Sequence, residues 1–136
     1  MARLLAEAEI ARLVLRYAAL NDAGDYEALA ALFTADGVFI RPSGGEPVVG
    51  RAAILASYKA RAPRISRHLV SNILADVSSS ESARCTSAIL LYSAAPGAQA
   101  AASPALLGGF ADKLVRVNGA WLFAERRGWI DLKIGS

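Results

Sequence analysis

Residues 16–39 read RYAALNDAGDYEALAALFTADGVF, and this stretch from Arg16 to Phe39 decides the fold class. Its first part closes a helix expected over Leu4–Asn21, where Ile10, Leu13, Val14, Tyr17 and Leu20 recur at three and four to make one apolar stripe. Glu7, Glu9, Arg12 and Arg16 fall largely off that stripe. Gly24 stops the helix, because glycine turns a left-handed corner without strain. Asp25 then caps a short second helix, expected over Tyr26–Phe33 with Leu29, Leu32 and Phe33 inward. Asp36–Gly37 reads as a turn, and Val38–Arg41 begins a strand.

Working outward, Pro42 to Pro47 with Gly44–Gly45 between them predicts a loop, and Val48–Val49 a short strand. A third helix is expected over Arg51–Arg61, with Ile54, Leu55 and Tyr58 on its apolar face and Pro63 beyond its end. The period then changes from 3.6 to 2, over Ser66–Val77, Ala83–Ala94, Leu106–Val117 and Trp121–Ile130. Ser78–Ser82 and Asn118–Gly119 are tight connections, the latter a strong hairpin signal, and Ala95–Pro104 is a longer one. Helices in one block followed by an antiparallel meander give an α+β class. The expectation is a single domain over 1–136, with three N-terminal helices packed into the concave face of a curved sheet that encloses a pocket.

Composition narrows the function. With 136 residues, 54% of them apolar, the chain can bury a sizeable core. One cysteine, Cys85, excludes an internal disulfide framework and fits a reducing, cytoplasmic setting. One histidine and one cysteine fall short of a structural zinc set, so no metal is expected. Arg3, Glu7 and Glu9 break any apolar leader segment. Residues 86–111 carry no charge, but Pro96, Pro104 and Gly108–Gly109 interrupt them, which favours two strands over a membrane span. The net charge of +3 includes a loose cluster of Lys59, Arg61, Arg64 and Arg67. It reads as a solvated helix end and strand entry in preference to a phosphate-binding patch, with no nucleic-acid motif beside it.

The residues quoted above, followed by GEPVVGRAAI, RHLVSN and VRVNGAWLFAERR, resemble the SnoaL-like branch of the nuclear-transport-factor-2-like superfamily across nearly the whole chain. The resemblance implies a cone with an apolar cavity, commonly paired into dimers through the outer sheet face. It does not imply one chemistry, since the superfamily hosts dehydratases, isomerases, epoxide hydrolases and non-catalytic domains.

In scytalone-dehydratase-like relatives an Asp at the end of the first helix pairs with a His on the first long strand; Asp22 and His68 match them. The implied reading is a cofactor-independent proton transfer on a small hydrophobic cyclic substrate. His68 is the general base, Asp22 its orienter and Tyr17 the oxyanion donor. Tyr17 and Asp22 stand about 140° apart on an ideal helix, so they share a face only if the helix end unwinds. Phe33, Phe39, Ile54, Tyr58, Val70, Asn72 and Trp129 are the expected ligand-binding residues, Val70 and Asn72 sharing the strand parity of His68. Each position has a structural alternative. Asp22 caps the corner, His68 is a solvated strand-edge residue, Tyr17 is a core aromatic, and Asn72 bonds a neighbouring strand.

Two departures from the relatives stand out. Arg41, before Pro42, occupies the place of the ketosteroid-isomerase-like base. The second His of scytalone-dehydratase-like sites has no counterpart, which leaves Tyr17, Tyr58, Tyr92 or a water to serve. The rival class is a non-catalytic ligand-binding or accessory subunit, resembling a dioxygenase small subunit. A further alternative is epoxide-hydrolase-like chemistry from Asp22, an inward Arg and Asp112. Arg126 and Arg127 alternate faces; one of them pointing inward to anchor a carboxylate is the alternative, and a rim or surface position is the favoured reading. Cys85 lacks an adjacent base, and Trp121, Phe123 and Trp129 share one parity.

Overall fold

The computed structural model describes residues 2–135. Three helices, α1 (Ala2–Ala23), α2 (Tyr26–Ala30) and α3 (Arg51–Lys59), accompany six strands: β1 (Phe33–Ile40), β2 (Val48–Val49), β3 (Ile65–Val77), β4 (Ser82–Ala94), β5 (Ala105–Val117) and β6 (Ala120–Ile134). The strands form one sheet in the order β2-β1-β6-β5-β4-β3. Every pairing is antiparallel except β1 with β6. The α+β class and the curved sheet are therefore as expected from sequence.

The apolar stripe of α1 is buried through Ile10, Leu13, Val14 and Tyr17. Gly24, at φ +73°, ends the helix, and the Asp25 amide reaches back to the Leu20 carbonyl at 3.0 Å. Asp25 caps α2, its Oδ1 accepting from the Ala28 amide at 3.3 Å. Asn118 and Gly119 both have positive φ, as a two-residue hairpin with the right twist requires.

Helix α2 ends three residues before the expected Phe33, and Asp36–Gly37 lies inside β1 rather than at a turn. Pairing with β6 overrides the local helical pattern here. The Phe123 amide donates to the Leu32 carbonyl at 2.8 Å, and Phe33 sits opposite Phe123. The ladder then slips before Val38. At the slip a side chain on Gly37 would crowd Phe33 and two backbone oxygens at 3.1–3.2 Å.

Further slips fall between Ser71 and Leu74 in β3, and at two places between β5 and β6. Such bulges bend strands and increase their twist. The concave face holds a core of Val14, Tyr17, Phe33, Phe39, Ile54, Tyr58, Phe110, Leu114 and Phe123, among others. Among the described residues no helix is long and apolar enough to cross a membrane.

Candidate active site

The end of α1 meets the start of β3, and this junction brings Asp22 to His68. Oδ1 of Asp22 lies 2.5 Å from His68 Nδ1 and accepts from Ser66 Oγ at 2.9 Å. Oδ2 accepts from the His68 backbone amide at 2.9 Å. The carboxylate is therefore held by β3 rather than capping its own corner. An Nδ1–H donated to Asp22 leaves Nε2 as the acceptor of the imidazole. The His68 side chain is only 10% exposed, and burial holds its pKa below the ordinary histidine value despite the opposing pull of Asp22. The ring is thus neutral at pH 7 and its free nitrogen can take a proton.

His68 lines a cavity of about 570 Å³, a volume in the range of small-molecule sites. Phe39, Tyr58, Ile89, Leu91, Leu106 and Phe110 form much of its apolar wall. Asn21, buried beside Asp22 in sequence, also reaches it. Of the expected ligand-binding residues, Phe39 and Tyr58 are on the wall, while Phe33 and Ile54 are fully buried in the core. Val70 is half-buried against that core.

Tyr17 also stands behind the wall rather than in it. It is buried, its ring packs edge-on to Phe33, Tyr58, Phe110 and Phe123, and its hydroxyl bonds the Tyr58 hydroxyl. The alternative donor, Tyr58, is the one that reaches the cavity. Burial raises the pKa of both phenols, so both stay protonated near neutrality.

Two expected positions are displaced by bulges. Asn72 sits at the slip in β3 with φ +51° and is exposed, so it does not share the inward face of His68. Trp129 belongs to the wall by its strand, but a slip in β6 near Ala124 breaks the parity it was expected to share with Trp121 and Phe123. Gly128 pairs with Phe110 and faces inward, where an added Cβ would strike Phe110 and Pro42. The Trp129 indole consequently lies over Gly109 on the convex side, with the Arg127 guanidinium 5.5 Å from its ring.

The same slip turns Arg126 inward, correcting its reading as a rim residue. It is 1% exposed, its Nε donates to Asp112 Oδ1 at 3.1 Å, and its guanidinium lies 4.0–4.7 Å from the rings of Tyr17, Phe110 and Phe123. Burial pushes the Asp112 carboxyl upward against the pull of Arg126. Since Asp22 is committed to His68 and Arg126 to Asp112, the two carboxylates do not share one guanidinium as an epoxide-hydrolase-like triad would need. Cys85 sits opposite Asp112, and burial pushes its thiol up to about 11, which keeps it protonated and unreactive.

The basic cluster divides. Lys59 pairs with Glu27 at 3.1 Å and Arg67 is exposed, but Arg61 and Arg64 line the cavity together with Arg41. Sequence periodicity carried no signal for this, because all three lie on or beside loops whose direction is tertiary.

The family model for the SnoaL-like domain matches residues 2–127. No curated protein matches. Among solved structures, a protein assigned as a scytalone dehydratase from Novosphingobium aromaticivorans is 25% identical with a TM-score of 0.87, over 99% of this chain and 90% of that one. A Catenulispora acidiphila protein solved in complex with S-DNPA is 27% identical with a TM-score of 0.77, over 96% of each chain. An NTF2-like protein with a cystatin-like fold from Novosphingobium aromaticivorans, 23% identical over 94% of this chain and 84% of that one, has a TM-score of 0.76 and shares the fold.

Proposed function

Because the chain belongs to the SnoaL-like family, we propose that it is a cofactor-independent dehydratase- or isomerase-like enzyme acting on a small hydrophobic cyclic substrate. The observation that carries this reading is the Asp22–His68 contact at 2.5 Å on the wall of a cavity large enough for such a substrate. Likeness to an assigned scytalone dehydratase and to a protein that binds the small molecule S-DNPA supports it.

His68 Nε2 removes a proton from the carbon next to a ring carbonyl, and Asp22 stabilises the imidazolium that forms. Tyr58 donates a hydrogen bond to the developing enolate oxygen. Tyr17, behind it, is a positioning residue: by donating to the Tyr58 oxygen it leaves the Tyr58 proton free for the substrate. In a dehydration the enolate then expels the β-hydroxyl, which takes the proton from His68 and departs as water. One histidine serves both halves of that cycle, in keeping with the single histidine of the chain. In an isomerisation the same proton returns to another carbon.

Cyclic β-hydroxy ketones provide the test, with loss of water followed by absorbance and α-proton exchange followed in deuterated water. His68→Ala is expected to lower turnover by at least about 100-fold and Asp22→Asn by about 10- to 100-fold. Near-full turnover in both folded variants would overturn the mechanism and favour the non-catalytic binding subunit. We also propose that two copies pair through the outer face of the sheet, in the cytoplasm.

A further inference from the structure

Accepting that this cavity is the substrate site, we infer that its ligand is a hydrophobic ring system bearing a carboxylate, held by Arg41, Arg61 and Arg64. These three contribute to the lining, and no Asp or Glu does. Most other lining side chains are apolar, so the site pairs an apolar body with a cationic end. A carboxylate on a polycyclic ligand has the same division.

None of the three guanidinium groups is in an ion pair or side-chain hydrogen bond among the described residues. Arg3, Arg51, Lys59, Lys113 and Arg126 have partners; what sets Arg41, Arg61 and Arg64 apart from the other unpaired cations among the described residues is that they line this cavity. The Arg61 guanidinium carbon lies over the Tyr58 ring, 4.1 Å from its centroid, a contact that does not neutralise the charge. Burial and then the Arg61 charge disfavour the Arg64 cation, while the Asp22 carboxylate acts the other way. Like charges gathered beside an apolar wall are unfavourable unless an anion joins them, and the planar guanidinium matches a carboxylate in a two-point contact.

The chemistry of His68 would gain as well. Burial lowers its basicity most, Asp22 raises it, and Arg64 and Arg61 lower it further. A carboxylate among these arginines offsets their field, so the base strengthens when the correct ligand is in place.

The test measures binding of anthracene-2-carboxylate and its neutral carboxamide to the full chain at low salt, by fluorescence anisotropy. The carboxylate is expected to bind about 10-fold tighter, equivalent to one decade in Kd. Arg41→Gln and Arg64→Gln together are expected to reduce that ratio to about twofold or less, with an unchanged circular dichroism spectrum. Arg61 is left intact because it packs on Tyr58. Equal affinity for the two probes, binding of neither, tighter binding of the corresponding phosphonate, or a preference that survives both substitutions would each overturn the inference. His68→Asn is expected to keep the preference, so loss of proton-transfer chemistry and loss of anion selectivity are read separately.

Discussion

His68 is a base only because it is neutral, and its neutrality comes from burial outweighing Asp22. Its folded pKa lies below that of the unfolded chain, about 6.5. The rate is therefore expected to be flat near pH 7 and to fall on an acid limb whose midpoint lies below 6.5. The same sign governs stability. The unfolded chain binds the extra proton first, so stability present above about pH 6.5 is lost as pH falls toward the folded pKa. His68→Gln removes this part of the pH dependence, which chemical denaturation at pH 5 and pH 7 checks. Arg126 and Asp112 present the opposite case, a buried pair whose value is that neither is left alone. Asp112 Oδ2 and Arg126 Nη2 already lack protein partners. Arg126→Met leaves a buried carboxyl unpaired and is expected to cost about 3 kcal/mol. Replacing both, as Arg126→Met with Asp112→Leu, is expected to recover much of that loss. If the double variant is no more stable than the single, the coupling is absent.

Among the elements, local chemistry was legible where it governs local structure. The stripe on α1, the Gly24 stop, the Asp25 cap and the Asn118–Gly119 turn all act within a few residues, and each is found where the sequence puts it. The Asp22–His68 contact was legible by resemblance, since nothing local connects positions 46 residues apart. Bulges were not legible. Those in β3 and β6 displace Asn72 and Trp129 and turn Arg126 inward, because one extra residue reverses every later side chain. The β3 bulge keeps Val70, Ile73 and Ala75 against the core by giving Asn72 a left-handed backbone. Asn72→Gly is accordingly expected to change stability by less than about 0.5 kcal/mol, whereas Asn72→Val, which strains a β-branched residue at positive φ, is expected to cost about 1–2 kcal/mol. Equal effects in thermal denaturation would mean that the bulge relaxes.

At the scale of the molecule, the outer face of the sheet leaves large apolar side chains exposed among the described residues. Leu69 pairs with Leu90, Leu90 with Leu107 and Leu107 with Leu132, so four leucines cross four strands in one row. Neighbouring strands lie about 4.8 Å apart, so the row spans roughly 14 Å. Leu69 is 51% and Leu132 60% exposed, and the Trp129 indole covers Gly109 on the same side. An apolar row of this kind on the surface of a folded chain marks an association site. A face repeated on a second copy meets itself about a twofold axis, which needs no other partner. The wild-type chain is therefore expected to run as a dimer at about 10 µM in light scattering, above the dissociation constant of an ordinary stable interface. Leu90→Lys with Leu107→Lys places two charges in the centre of each face and is expected to yield a folded monomer. Because His68 and the cavity lie on the concave side, that monomer is expected to bind the carboxylate probe with unchanged preference. A monomeric wild type, or a dimer that survives both lysines, would assign the leucine row to some other role.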